Sequence, residues 1–289
     1  MPELVVDANG MTFRGLVEGP EDGPLALLLH GFPDSPHTWR HLMGPLAEQG
    51  YRAVAPAMRG YFPSDLPEDG RYQTAALSLD AVAITTALGG DDRAVLIGHD
   101  WGAIAAYGAA AYSPRSWSKM VTMAVPPTSS VAEAFLKFDQ LRRSWYMFFF
   151  QTALADIVVP MDDLEFIARL WSDWSPGYEA SEDLANVRQA LGEPERLAAA
   201  LGYYRAMFNP ELHDPALGAA QDALGLPTPI PTLYLHGADD GCFGIDSIGD
   251  PLASLPEGSA MRVIEGAGHF LQLERPAEVN VEVLDFLAR

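Results

Sequence analysis

Six short apolar runs, each ended or followed by glycine or proline, constrain this chain more than any other feature. They are "LALLLHG", "YRAVAP", "RAVLIG", "KMVTMAV", "TLYLHG" and "MRVIEG". Runs of this length without polar alternation read as strands buried on both faces. Helical patterns separate the first four: "TWRHLMGPLAEQG", closed by Gly50; "TAALSLDAVAITTALGG", closed by Gly89 and Gly90; and "AIAAYGAAAY". Glycine just past the last periodic residue is a stop signal for a helix. Strands alternating with helices imply the α/β class, with a mainly parallel twisted sheet flanked by helices. Before them, "ELVVD", the turn "ANG" and "MTFRGLVE" read as an antiparallel hairpin.

After Pro126 and Pro127 the rhythm changes. About a hundred residues follow with helical patterning and no convincing strand, until the proline-rich "LPTPIP" leads back to "TLYLHG". "PAEVNVEVLDFLAR" is a closing helix. The simplest reading is one core domain, residues 1–127 and 226–289, carrying an all-helical cap inserted at 128–225. An insertion there sits over the carboxyl ends of the strands, where open α/β sheets bind ligands.

Charge and cysteine usage remove several function classes. Against 18 Lys and Arg stand 39 Asp and Glu, a formal charge of -21. Nucleic acids and anionic membrane surfaces require basic patches, so neither is an expected partner. Cys242 is the only cysteine, which excludes an internal disulfide and a thiolate metal cluster. The first residues, "MPELVVDANG", carry Glu3 and no long apolar core, so they are not read as a secretory signal. The longest central apolar run, "WYMFFFQTALA", falls well short of the roughly 20 residues a membrane span needs. The expectation is a cytoplasmic protein.

"LIGHDWGAIA" places Asp100 at the tip of a strand–turn–helix, flanked by Gly98 and Gly102. This fits the G-x-nucleophile-x-G elbow, whose tight turn leaves no room for side chains at the flanking positions. Aspartate also makes a good helix N-cap, so the motif needs company. A triad on this fold runs in the order nucleophile, acid, histidine. Asp239 and Asp240 in "LHGADDGC" and His269 in "IEGAGHFLQLERP" follow in that order, each past the end of a strand. His30, His99 and His236 fit less well, because they end strands or lie inside the elbow. His37 and His41 have i, i+4 spacing but no third ligand, and read as solvated helix residues rather than a metal site. "LLLHGFP" supplies the loop whose backbone N–H, at Phe32, pairs with that of Trp101 as an oxyanion hole.

An aspartate nucleophile selects the chemistry. Serine attacking a saturated carbon would leave an ether that the same site could not hydrolyse. Aspartate leaves an alkyl ester, whose carbonyl an activated water can attack. The carboxylate is already ionised at neutral pH and needs no base for its first step. The substrate therefore carries a leaving group on sp³ carbon, either a strained epoxide or a carbon–halogen bond.

With "HGFP", "RGY", "GHDWGA", "GADDG" and "AGHFLQLERP" in order, the chain resembles the α/β-hydrolase superfamily over nearly its whole length, and within it the epoxide hydrolases. The resemblance implies the α/β-hydrolase fold and conversion of an epoxide to a vicinal diol. It implies Asp100 as nucleophile, His269 as base and Asp240, rather than Asp239, as the acid. It implies two cap tyrosines that bind and protonate the epoxide oxygen, Tyr146 before a Phe-Gln pair and Tyr204 in a Tyr-Arg pair. Tyr203 is adjacent and points about 100° away on a helix. No cofactor and no metal are implied. The expected partners are a small apolar epoxide and water, and a homodimer is left open. Phe62 departs from the glycine such enzymes often have after "RGY". Haloalkane dehalogenases share the Asp-Trp pair, in which the Trp101 indole N–H would bind halide, but often have asparagine where Phe32 stands; Trp145, Trp171 or Trp174 are the residues that would supply a second N–H. Fluoroacetate dehalogenases typically have arginine in place of Trp101. A ligand receptor using the same pocket is the reading from another class.

Overall fold

The computed structural model describes residues 3–289. All six apolar runs are strands of one eight-stranded sheet. In chain order the strands are β1 (Glu3–Ala8), β2 (Met11–Glu18), β3 (Leu25–Leu29), β4 (Arg52–Pro56), β5 (Val95–His99), β6 (Lys119–Met123), β7 (Thr232–Gly237) and β8 (Ala260–Ile264). In space the order is β1-β2-β4-β3-β5-β6-β7-β8. β1 pairs antiparallel with β2 and β2 with β4, while the other pairs are parallel. β3 and β5 are buried at every residue, as central parallel strands must be. β1 alternates exposed and buried, so its outer face is wet. Asn9 and Gly10 close its hairpin with positive φ at both positions, the geometry that two-residue turns demand.

The core helices are α1 (Met43–Glu48), α2 (Thr74–Ala87) and α3 (Trp101–Tyr112), with α12 (Leu271–Glu274) and α13 (Pro276–Ala288) near the C-terminus. Side chains alternate across the sheet. Leu28, Ile97, Val121 and Leu235 pack with Trp39, Leu46, Val283 and Phe286 on one face. Leu27, Leu29 and Leu96 pack with α2 and α3 on the other. Truncating one such leucine to alanine removes packing worth about 2–5 kcal/mol.

The single helix expected over "TWRHLMGPLAEQG" is instead a 3-10 turn, Pro36–Trp39, followed by α1. The reason is Pro45. It has no N–H to give a preceding turn, so it is tolerated only in the first turn of a helix. His37 and His41 consequently do not share an α-helix.

Residues between β6 and β7 form α4 (Thr128–Ala134), α5 (Phe138–Arg143), α6 (Trp145–Phe149), α7 (Ala155–Val158), α8 (Met161–Trp174), α9 (Ser181–Leu191), α10 (Pro194–Phe208) and α11 (Gly218–Ala223). No strand lies in this stretch, all of which is among the described residues. Helices α6 to α10 share one apolar cluster with the α2–α3 face of the core, through Phe32, Trp101, Tyr146, Phe150, Trp174 and Tyr204. Among the described residues no helix is long and apolar enough to cross a membrane.

Candidate active site

The parallel strands deliver their following loops to one edge of the sheet. Phe32 follows β3, Asp100 follows β5, Asp240 follows β7 and His269 follows β8. β3 and β5 are neighbours, and chain connections leave them in opposite directions. That switch point is where an α/β sheet opens a crevice.

At the β5–α3 turn Asp100 has φ 52° and ψ -119°. A non-glycine residue there stores roughly 1–3 kcal/mol of strain, which surrounding packing must hold. The flanking glycines are sterically required. A Cβ on Gly98 would collide with the Gly102 carbonyl, and one on Gly102 with the carbonyls of Leu29 and His30. Gly31 lies against Asp100 Oδ1 and Cβ just as tightly. This close approach lets the Phe32 N–H donate to Asp100 Oδ1 at 2.7 Å. Trp101 opens α3, where first-turn N–H groups have no intrahelical partner.

His269 Nδ1 donates to Asp240 Oδ2 at 3.0 Å, and its Nε2 lies 3.6 Å from Asp100 Oδ2. Among the described residues, Nε2 has no hydrogen-bond partner. Asp240 Oδ1 accepts from the N–H groups of Cys242 and Phe243. Asp239 is exposed and away from this network. Burial pushes the His269 pKa down, but the charge and hydrogen bond of Asp240, with the nearby charge of Asp100, outweigh it and hold His269 up to about 10. Burial also raises the Asp240 pKa, yet the imidazolium beside it holds that carboxyl below its ordinary range. The other buried histidines are neutral parts of the frame. Burial lowers His30 to about 4 and His99 to about 3. His30 Nε2 accepts from the Met58 N–H, His99 Nε2 donates to the His269 carbonyl, and His236 Nε2 donates to the Phe243 carbonyl.

A cavity of about 60 Å³ opens beside Asp100, with Tyr146, Tyr204, Trp101, Met147 and Cys242 in its wall. The rotation of α10 distinguishes its two tyrosines. Tyr203 turns to the core and donates to the Arg59 carbonyl at 2.6 Å. Tyr204 faces the cavity, and its hydroxyl has no partner among the described residues. Tyr146 OH lies 3.4 Å from Cys242 Sγ, and the two tyrosine rings are 5.8 Å apart. Gln151, from the Phe-Gln pair, ties their helices together by donating to the carbonyls of Met147 and Tyr204. Burial, reinforced by the charge of Asp100, pushes both phenols well above their ordinary pKa, so both keep their protons. The cap tryptophans are differently placed. Trp145 is half exposed, Trp171 donates its indole N–H to the Pro33 carbonyl, and Trp174 packs against His269 and Tyr146.

Sequence reasoning did not single out the residues that hold this site. Gln140 of α5 donates to the Cys242 carbonyl and accepts from the Gly244 N–H, fastening the loop after Asp240 to α5. Cys242 itself carried a signal only in its nearness to Asp240. Asp240, Cys242 and His269 are also the one group of potential metal donors clustered within 4.8 Å among the described residues. Their donor atoms are engaged with one another or with Tyr146, and burial pushes the Cys242 thiol far up, so it keeps its proton. That donor set does not fit a metal.

A family model for the alpha/beta hydrolase fold matches residues 24–276. The chain belongs to the α/β-hydrolase fold family. AB hydrolase superfamily protein YfhM of Bacillus subtilis is 31% identical over 98% of this chain and 96% of its own. Epoxide hydrolase A of Mycobacterium tuberculosis is 30% identical over 99% of this chain and 97% of its own. The crystal structure of Epoxide Hydrolase A from Mycobacterium thermoresistibile superposes with a TM-score of 0.80 at 26% identity, covering 99% of this chain and 98% of that one. Within its family, this α/β-hydrolase resembles the epoxide hydrolases.

Proposed function

We propose that this α/β-hydrolase converts a small apolar epoxide and water to a vicinal diol through an ester of Asp100. One observation carries the reading. The cavity that holds the Asp100 carboxylate also holds two protonated tyrosines, and the Tyr204 hydroxyl has no partner among the described residues. A departing alkoxide needs proton donors of this kind, whereas a halide needs N–H donors, and the indole of Trp171 is engaged elsewhere.

The Phe32 N–H fixes Asp100 Oδ1, leaving Oδ2 to attack a ring carbon. The C–O bond breaks with its electron pair on oxygen, and that oxygen takes a proton from a tyrosine hydroxyl. The product is a 2-hydroxyalkyl ester. Forming it removes the Asp100 charge, one of the interactions that hold His269 protonated. The imidazolium then returns a proton, through water, to the tyrosinate. Neutral His269 takes a proton from the second water, whose oxygen adds to Asp100 Cγ. The oxyanion forms on Oδ1, against Phe32 and Trp101 N–H groups, a contribution of about 10²–10³ in rate per donor. Collapse expels the diol as its alkoxide, which takes the proton of the new Asp100 carboxyl. Asp100 ends ionised and His269 protonated, as they began.

The test is incubation of purified protein with aryl and alkyl epoxides and, in parallel, haloalkanes, reading diol and halide. Diol that disappears in Asp100→Ala supports the reading. His269→Gln should stop after one alkylation, seen as a mass gain of one substrate. Halide without diol would overturn the proposal.

A further inference from the structure

The loop that carries His269 is held by the cap, not only by the sheet. Three consecutive N–H groups, of Gly268, His269 and Phe270, are each engaged by a different partner. Gly268 donates to Glu274 Oε2 at 2.8 Å, His269 to the Trp174 carbonyl at 3.0 Å, and Phe270 to Ser175 Oγ at 3.2 Å. Ser175 Oγ in turn donates to Glu274 Oε1 at 2.6 Å, closing the ring of contacts. The Trp174 carbonyl also accepts from Gly241 at 3.1 Å, so one cap peptide touches the loops of both His269 and Asp240. The approach is close enough to require glycine on both loops. A Cβ on Gly241 would collide with the Asp173 carbonyl, and one on Gly268 with the backbone of Trp174 and Ser175. Ser175 is 1% exposed and follows the last residue of α8.

We infer that Ser175 and Glu274 are positioning residues that, with the Trp174 carbonyl, set the His269 ring against Asp240 and Asp100. The end of α8 is thereby a part of the triad's frame and not only a wall of the pocket. A hydroxyl is needed at 175 because the same oxygen must accept from Phe270 and donate to Glu274. A carboxylate is needed at 274 because both of its oxygens accept. An amide there offers one acceptor and leaves an N–H₂ facing another donor.

The consequence is kinetic and selective. Asp100 is fixed by Phe32 and Met123 and lies outside this ring of contacts, so its attack proceeds without it. Activation of water by His269 does not. The inference rests on the role proposed above for His269, and the experiment separates the two. In Ser175→Ala, formation of the alkyl-enzyme in a single turnover is expected to stay within about twofold of the parent. Its hydrolysis should slow at least tenfold, so that mass spectrometry finds the ester accumulating. Independently of any substrate, the low-field proton NMR signal of His269 Nδ1–H is expected to shift or broaden. Glu274→Gln should do the same, and carries the test if Ser175→Ala does not fold; Ser175→Thr should restore hydrolysis in part. Equal loss in both half-reactions, or an unmoved signal with normal hydrolysis, would overturn the inference. If the parent forms no diol yet the signal moves in both variants, the proposed function fails while the positioning role stands.

Discussion

His269 bonds Asp240 through one ring nitrogen at 3.0 Å and faces Asp100 at 3.6 Å through the other, so one imidazole lies between two buried carboxylates. That placement makes protonation of His269 part of folding. Its folded pKa, about 10, stands above the ordinary 6.5. The stabilisation is fully present below pH 6.5 and is lost as pH rises through about 10. Asp240→Asn should therefore destabilise the protein most at pH 6 and least near pH 10.5. Removing one partner of a buried pair costs about 3–5 kcal/mol where the pair is charged. Thermal unfolding of parent and variant across this range checks it, and a constant difference would contradict the assignment.

The two adjacent tyrosines of α10 should fail in opposite ways. Tyr204→Phe removes a hydroxyl without a partner among the described residues, so stability should barely change. Its turnover should drop about 10²-fold, the lower end of what a general acid contributes. Tyr203→Phe leaves the buried Arg59 carbonyl without its donor, which costs about 1–3 kcal/mol of stability, while turnover falls less. Steady-state kinetics and denaturant unfolding on both variants separate the two effects.

The sheet was legible because central parallel strands are short apolar runs that stop at glycine, and six such runs stand in the sequence. The tight β5–α3 turn was legible because it needs glycine at 98 and 102, where a Cβ would collide with backbone. The helix around Gly44 was misread because periodicity outweighed Pro45. The pairing of Tyr146 with Tyr204 came from family resemblance, since spacing alone does not fix the rotation of α10. In that rotation Tyr203 meets its hydrogen-bond partner, Arg59, 144 residues away. Ser175 and Glu274, 99 residues apart, left no local pattern at all. Contacts of this range depend on how the cap docks, which no window of sequence encodes.

Asp34 lies two residues after Phe32 and is buried, with Oδ1 accepting from the Ser35 N–H and Oδ2 without a partner among the described residues. Burial outweighs the hydrogen bond from Ser35 and pushes its pKa up to about 8, from an ordinary 3.8. The folded state thus holds a proton that the unfolded state releases, and stability from this group is lost as pH rises from about 4 through 8. Asp34→Asn, similar in shape and never charged, should gain stability relative to the parent between pH 5 and pH 9. Paired urea titrations at those two pH values read the change, and a difference independent of pH would refute it.

Gly31→Ala tests the approach of the Phe32 loop to Asp100, the nucleophile proposed above. The added methyl would occupy the space of Asp100 Oδ1 and Cβ, so the loop or the elbow must move. Either motion breaks the 2.7 Å bond from the Phe32 N–H. The same N–H is assigned to the oxyanion in the second half-reaction, where one donor is worth about 10²–10³ in rate. The core strands behind the loop pack without help from this contact. Turnover should therefore fall by about 10²-fold or more while the unfolding temperature falls by only a few degrees, on the order of 1 kcal/mol for a chain of this size. Both quantities are read from one preparation. A variant that retains turnover would show that Phe32 does not serve the oxyanion, and the hole would have to be sought at Trp101 and another donor.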